Sequence, residues 1–372
     1  MPDDRPHFFD QTPETLADLC AGWGLPRFRA KQVFGWVYAK GVADPRQMTN
    51  LSARDRELLA DRLRFVTGQV VRHQNASDGT QKLLIDWNPA PGSTGVSLQL
   101  MPADDDPPPS DQTECVMIPT AGDANRRPRR TACISSQVGC PVGCKFCASG
   151  LGGLDGNLTA GQIVQQAWQL QQLTHVGRLT NVVFMGMGEP MANLRAVLPA
   201  VRTLAAGWGL GLSARRITVS TVGVPAGIRK LADLDLPVTL AVSLHAPNDQ
   251  LRQQIIPWAE FVSIQQLTDA GRDYFAKTGR EVTLEYILLG HVNDRPEHAR
   301  ELATVAKRLR SNVNLIRYNE VAGLPYARPD DADVLRFQSI LKSAGVNTHL
   351  RASRGRDIAA ACGQLRHEAA AV

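Results

Sequence analysis

From about residue 113 onward, short apolar runs alternate with longer amphipathic stretches. The runs with strand character are Cys115–Pro119, Ala132–Ser136, Asn181–Met185, Arg216–Ser220, Val238–Leu244, Val282–Leu288, Val313–Arg317 and Thr348–Ala352. Between them, helical periodicity covers 160–173, 191–206, 225–234, 263–277, 295–310 and 331–344. Strands that alternate with helices of this length predict an α/β fold of βα units around a parallel sheet. About six such repeats imply a full or partial (β/α) barrel, here a partial (β/α)6 barrel.

The first part of the chain reads differently. Residues 1–66 predict a small helical accessory domain. In "LPRFRAKQVFGWVYAK", Phe28, Val33, Phe34, Trp36 and Val37 are interleaved with Arg27, Arg29, Lys31 and Lys40, which gives an amphipathic helix with a basic face. That face is either solvated or set against RNA. Ser52 caps a further helix, "ARDRELLADRL". Residues 67–112 predict a β-rich connecting segment from "GQVVRHQ", "QKLLIDW" and "GVSLQLM". It ends in the acidic, proline-rich linker "ADDDPPPSDQ". The barrel then occupies 113–372.

Composition bounds the function without naming it. With 372 residues, 43 % hydrophobic and 21 % charged, the chain is an ordinary globular protein of one large and one smaller domain. The net charge of +5 is mild, but its arginines cluster. Arg126, Arg127, Arg129 and Arg130 form one group, and Arg351, Arg354 and Arg356 another; both suit a polyanion or simple solvation. No apolar run approaches the roughly 20 residues of a membrane span. The polar start, "MPDDRPHFFDQ", lacks a signal-peptide pattern, so a cytoplasmic protein is expected. Seven cysteines, three of them tightly clustered, argue against a secreted disulfide framework and for metal or redox chemistry.

Polar and glycine-rich motifs follow nearly every strand: "GMGEP", "STVG", "SLHAPND", "LGHVND" and "YNE". In parallel α/β folds the C-terminal strand ends converge on one ligand-binding mouth. The loop after the Ala132–Ser136 run carries Cys140, Cys144 and Cys147 in C-x3-C-x2-C spacing. Thiolates suit an iron–sulfur cluster or zinc. A structural zinc site closes with four protein ligands, and no fourth Cys or His lies nearby in sequence. Three thiolates on a four-iron cluster leave one iron open to the amino and carboxylate groups of S-adenosylmethionine (SAM). In "GMGEP", Gly188 lets backbone approach a ligand and Glu189 accepts from an ammonium group; the same motif also reads as a tight turn with Pro190 opening a helix. Cys133 and Cys362 would form a redox pair if the barrel brings both to the mouth, and are otherwise small buried hydrophobes.

Taken together, "CISSQVGCPVGCKFCASG", "NLTAGQIV", "FMGMGEPMAN", "ITVSTVGV", "VSLHAPND", "VNLIRYN" and "DIAAACGQL" closely resemble the RlmN/Cfr family of radical SAM RNA methyltransferases, over roughly residues 25–366. The N-terminal "FRAKQVFGWVYAKG" resembles that family's RNA-binding accessory domain. The resemblance implies a [4Fe-4S] cluster on Cys140, Cys144 and Cys147. It places SAM contacts at Gly188, Glu189, Ser220, Ser243, Leu244, His245 and Asn319. One SAM would methylate the sulfur of Cys362; a radical made from a second would take a hydrogen from that methyl group, and the methylene radical would add to an adenine carbon. Cys133 would release the product through a transient disulfide, and Glu114 would accept the proton.

The implied substrates are 23S rRNA and certain tRNAs, with an external electron donor such as a flavodoxin or ferredoxin system, acting on a monomer. Adenine C2 is the expected target. Glu320 after Asn319, where RlmN-type members carry proline, and "LIRYN" keep the Cfr-type C8 reaction open. A radical SAM enzyme acting on a small molecule and a zinc-stabilised RNA-binding protein are the remaining readings. Metal analysis separates the zinc reading: protein purified without oxygen is expected to be brown, with about four irons per chain, and a colourless zinc protein would favour the non-catalytic alternative.

Overall fold

The computed structural model describes residues 4–88, 111–122 and 127–365. Three helices open the chain: α1 (Pro13–Gly22), α2 (Arg29–Phe34) and α3 (Ala53–Arg62). The basic stretch forms α2 and then widens into a π turn over Gly35–Ala39. Ser52 caps α3 as expected, accepting from the Asp55 amide. The basic face is partly neutralised. Arg29 pairs with Asp55 at 2.8 Å, Arg27 pairs with Asp18, and Lys40 lies 3.5 Å above the Trp36 ring.

The strands are β1 (Gln69–Asn75), β2 (Gln81–Asp86), β3 (Gln112–Thr120), β4 (Arg129–Cys133), β5 (Gln137–Gly139), β6 (Leu154–Asn157), β7 (Asn181–Phe184), β8 (Ile217–Thr221), β9 (Thr239–Ser243), β10 (Val282–Leu288), β11 (Ser311–Arg317) and β12 (Thr348–Arg351). Ten of them form one sheet in the order β1-β2-β3-β4-β7-β8-β9-β10-β11-β12. From β4 to β12 every pairing is parallel; β1 to β4 are antiparallel. The alternation in the sequence therefore yields the α/β architecture, and the "connecting" β segment extends the same sheet. Strand β10 is buried at all its positions, as a central parallel strand covered on both faces requires.

The crossover helices are α4 (Ala160–Gln171), α5 (Leu194–Ala205), α6 (Pro225–Ala232), α7 (Asp249–Ile255), α8 (Ile264–Thr278), α9 (Pro296–Ala306) and α10 (Asp331–Ser343). Local chemistry sets their ends. Capping boxes start α4 (Thr159 with Gln162) and α8 (Ser263 with Gln266), prolines start α6 and α9, and left-handed Gly279 ends α8. Two elements lacked a periodic signal: the two-turn α7, and the β5–β6 hairpin, whose strands hold only a few residues each. "GVSLQLM", "ADDDPPPSDQ" and Arg126 lie outside the described residues.

The N-terminal helices share a core with the barrel. The Phe8 ring lies 4.9 Å from Phe34, 5.2 Å from Phe9, 5.4 Å from Phe65 and 5.9 Å from Tyr38. Buried Gln165 on α4 ties this unit down by accepting from the Thr67 amide at 3.0 Å and donating to the Gly68 carbonyl at 3.2 Å. Trp168, also on α4, donates to the Val37 carbonyl at 2.9 Å. Removing the central ring leaves a cavity among four aromatics. Phe8→Ala is expected to lower the unfolding free energy by about 3–5 kcal/mol in urea titration, and a loss below about 1 kcal/mol would show that the ring cluster does not hold the unit.

Candidate active site

The C-terminal ends of β7 to β12 surround one cavity of about 150 Å³, closed on one side by the cysteine loop. That loop is pinned at both ends. Strands β5 and β6 pair antiparallel beneath it, and the Cys140 amide donates to the Gly153 carbonyl at 2.6 Å. Within the loop, Gly143 sits at φ +68°, a left-handed turn that favours glycine. The Lys145 amide donates to the Ile255 carbonyl, which gives α7 its purpose. The Ala148 amide donates to the Gly363 carbonyl at 2.8 Å, and the Ser149 hydroxyl donates to the Leu365 carbonyl. The two latter bonds bring Cys362 beside the loop, 215 residues after Cys147 in sequence.

Cys140, Cys144, Cys147 and Cys362 all line the cavity. Burial pushes the Cys140 thiol up to about 12 and raises those of Cys144 and Cys147, with neighbouring thiols adding to the effect. Three thiols packed this way ionise together only against a compensating cation. Among the described residues, no three His, Cys, Asp or Glu side chains converge on a single ion. Thiols spread around a cavity rim fit a multinuclear cluster better than one zinc.

Of the residues expected to contact SAM, Gly188, Glu189, Ser220, Ser243 and His245 line the cavity. Gly188 has φ +98°, and a Cβ there would fall 2.6 Å from the Gln137 Cβ, so only glycine fits. Glu189 is buried. Its carboxylate accepts from the Met191 amide at 2.9 Å and the Val222 amide at 2.7 Å, so the motif is both a turn and a fixed negative wall. The Ser220 and Ser243 hydroxyls lie 3.4 Å apart. Leu244 is buried behind the wall, and its carbonyl accepts from Arg252. Asn319 stands beside the cavity and donates to the Cys362 carbonyl at 3.3 Å.

His245 adopts φ +58°, and its Nδ1 accepts from the Ile287 amide at 3.0 Å, which leaves the proton on Nε2. Burial, with Arg252 nearby, lowers its pKa to about 3, so the imidazole is neutral. Fully buried Arg252 donates to the carbonyls of Val222, Leu244 and Val262 and holds the β8 and β9 ends together.

Cys133 and Glu114 do not line the cavity. Cys133 is buried among Val116, Met187, Ala360 and Leu365. Burial first, and then the neighbouring Cys362, push its thiol up to about 12. Glu114 on β3 forms a buried ion pair with Lys82 of β2 at 2.7 Å, and Lys82 also donates to the Ala359 carbonyl. The β1–β2 turn reaches the same segment: the Asp78 carboxylate accepts from the Gly355 amide and Asp357 accepts from the Ser77 amide. Arg351, grouped by sequence with a surface cluster, instead lines the cavity together with Glu285. The one signal for Glu285 was a carboxylate inside the apolar run "VTLEYIL".

Comparison with known proteins agrees with this geometry. Residues 134–303 match the radical SAM superfamily, and residues 7–64 match the ribosomal RNA large subunit methyltransferase N-terminal domain. The chain is 42 % identical over 361 residues to the probable dual-specificity RNA methyltransferase RlmN of Rhodopirellula baltica, covering 97 % of this chain and 90 % of that one. It is 45 % identical to the RlmN so named in Symbiobacterium thermophilum, covering 96 % and 90 %. A crystal structure of a radical SAM methyltransferase from Sphaerobacter thermophilus superposes with a TM-score of 0.85 at 40 % identity, covering 97 % of this chain and 99 % of that one.

The chain belongs to the RlmN family.

As a member of the radical SAM superfamily it uses a [4Fe-4S] cluster and SAM, and the cavity residues suit both. Among the described residues no helix is long and apolar enough to cross a membrane. The neutral His245 of this RlmN-family site has a consequence for stability. Between its folded pKa of about 3 and the ordinary value of 6.5, the unfolded chain binds the extra proton. Its contribution is complete above pH 6.5 and is lost as pH falls toward 3. His245→Asn, which keeps an acceptor and tolerates the left-handed backbone, is expected to lose less thermal midpoint between pH 7 and pH 4.5 than the wild type; an equal loss would mean the imidazole is not held neutral.

Proposed function

We propose that the chain is a radical SAM RNA methyltransferase that places a methyl group on C2 of an adenine in 23S rRNA and in certain tRNAs. The observation that carries this reading is the meeting of Cys362 with the three-cysteine loop on one cavity. A generic radical SAM enzyme needs the loop; it has no need of a fourth thiol held there by Asn319 and the Gly363 carbonyl contact. Its relatives, named as dual-specificity RNA methyltransferases, support the substrate class.

Cys140, Cys144 and Cys147 would hold the cluster, which together with SAM would supply one-electron chemistry at the cavity. The chain's own residues do the rest. The sulfur of Cys362 would take a methyl group from one SAM as an ordinary nucleophile, releasing S-adenosylhomocysteine and the thiol proton; a second SAM would end as methionine and 5′-deoxyadenosine, its added hydrogen taken from that methyl, and the odd electron left after addition to the adenine carbon would return to the cluster. Glu114 accepts the proton lost from that carbon, its charge held in place by Lys82. Cys133 then attacks the sulfur of Cys362; the carbon–sulfur bond breaks, the carbon leaves with the electron pair and takes a proton, and the two sulfurs are left as a disulfide. An external reductant, in the class of a flavodoxin or ferredoxin system, returns both thiols and supplies the cluster's electron. The exposed Arg127 and Arg129 and the Lys31 face of the N-terminal unit offer phosphate contacts. The protein acts as a cytoplasmic monomer.

Incubation of the reduced holoenzyme with methyl-labelled SAM and with 23S rRNA or tRNA, followed by nucleoside analysis, is expected to give 2-methyladenosine from both. Cys362→Ala is expected to abolish the product, a fall of at least about 10³-fold, while leaving the cluster in place. Full activity in that variant sinks the cysteine-carrier mechanism, and 8-methyladenosine as the product moves the enzyme to the Cfr-type reaction.

A further inference from the structure

Register gathers charged and thiol side chains on one face of the antiparallel strands. Lys82 of β2 pairs with Val116 of β3, Leu84 pairs with Glu114, and Val116 pairs with Cys133 of β4. Alternation along each strand therefore sets Lys82, Glu114 and Cys133 on the same side of the sheet. Lys82 and Glu114 are both buried, and their charges meet at 2.7 Å. A buried ion pair is a poor way to stabilise a fold: stripping water from both charges offsets most of their attraction, and an apolar pair of similar size does as well. A pair kept on the face that carries Cys133 calls for a chemical reason.

Lys82 reaches in two directions. Its ammonium group donates to Glu114 Oε1 and to the Ala359 carbonyl at 3.3 Å. Ala359 lies three residues before Cys362 and holds a left-handed backbone, φ +49°. That conformation is uncommon for a residue with a side chain and persists where neighbouring groups impose it. The backbone of Glu114 is fixed separately. Its amide donates to Met187 Sδ at 3.4 Å, and its carbonyl accepts from the Ser135 hydroxyl at 2.6 Å. The loops after β4 and β7 thus set the main chain of Glu114, while Lys82 sets its carboxylate.

Resting on the functional reading above, in which Glu114 takes the proton from the adenine carbon, we propose that Lys82 is a positioning residue for that step, holding the proton acceptor in register with the segment that carries Cys362. In the step itself the carbon–hydrogen bond breaks, the proton forms an O–H bond on Glu114, and the electron pair restores the aromatic ring. Lys82 serves it in two ways. Burial favours the neutral acid, which cannot take a proton, and an adjacent ammonium group keeps a carboxylate charged. The Ala359 contact fixes where that carboxylate stands relative to Cys362, whose sulfur holds the RNA at this stage.

The test uses the cluster-loaded enzyme with SAM, a reductant and end-labelled RNA. Lys82→Met is expected to lower kcat about 10²-fold, the scale of one misplaced acid–base group, with KM for RNA unchanged. It is also expected to accumulate RNA joined to Cys362 through the methylene bridge, because the methyl carrier still works while the proton stays on the ring. That adduct is read as a labelled band retarded on a denaturing gel. Lys82→Arg, which keeps the charge and several donors, is expected to recover most of the rate and to lose the band. If Lys82→Met fails to fold with Glu114 left unpaired, Glu114→Gln is compared with the double variant Lys82→Met/Glu114→Gln. With no acceptor left to position, the second substitution is expected to change kcat by less than about twofold. A larger further loss in the double variant overturns the proposal and leaves the methyltransferase reading standing. So does wild-type turnover in Lys82→Met, a raised KM at unchanged kcat, or lost turnover without the retarded band. A wild type that yields no methylated RNA overturns the functional reading and the proposal together.

Discussion

Three thiols set around the rim of one buried cavity are the constraint that organises this molecule. Each is disfavoured as a thiolate by burial and by its neighbours. Only a strongly cationic group can hold all three ionised. The surrounding structure is arranged to keep that loop where such a group has room. The β5–β6 hairpin fixes its two ends, α7 fixes its middle through Ile255, and the residues after Cys362 fix its far side.

The same bonds explain how a cysteine near the C-terminus reaches the cluster loop. Residues 354–365 follow the last strand of the sheet and contain little regular structure of their own. They are held from outside: by Asp78 and Ser77 at the β1–β2 turn, by Lys82 on β2, by Asn319 after β11, and by the cysteine loop itself. The antiparallel extension of the sheet is thus more than a connector between domains. It carries Lys82 and Glu114 into the interior and clamps the segment that bears Cys362. A segment held by several separate elements can be positioned accurately while remaining free to shift when one contact changes.

The remaining wall is a compromise between rigidity and polarity. Arg252 is buried and donates to carbonyls on three separate segments, so the β8 and β9 ends behave as one unit. His245 is held neutral by burial, in a left-handed conformation with its Nδ1 fixed by an amide on the next strand. Glu189 spends both oxygens on backbone amides. Among the described residues that line the cavity, Glu285 has a buried carboxylate oxygen without a hydrogen-bond partner. A site whose polar groups are mostly committed in advance has little reorganisation left to do when a ligand arrives.

The barrel itself was legible in the sequence, because its strands are near-continuous apolar runs and its helices begin at strong caps such as Thr159 and Ser263. The cysteine spacing and the "GMGEP" turn were legible for the same reason: their chemistry is local. Short elements stabilised by contacts far along the chain were not, and α7 and the β5–β6 hairpin are of that kind. Arg351 illustrates the limit most plainly. Its neighbours in sequence, Arg354 and Arg356, suggested a surface charge patch, yet the direction of β12 turns it into the cavity. Glu285 showed only as a carboxylate in an apolar strand; its partners, Ser243 and Asn314, are set by strand register. The sequence by itself determined which residues could perform the chemistry and the kind of fold that would carry them. Only the tertiary structure decided which of those residues share one cavity, because that depends on pairings between segments up to some 280 residues apart, as between Ser77 and Asp357.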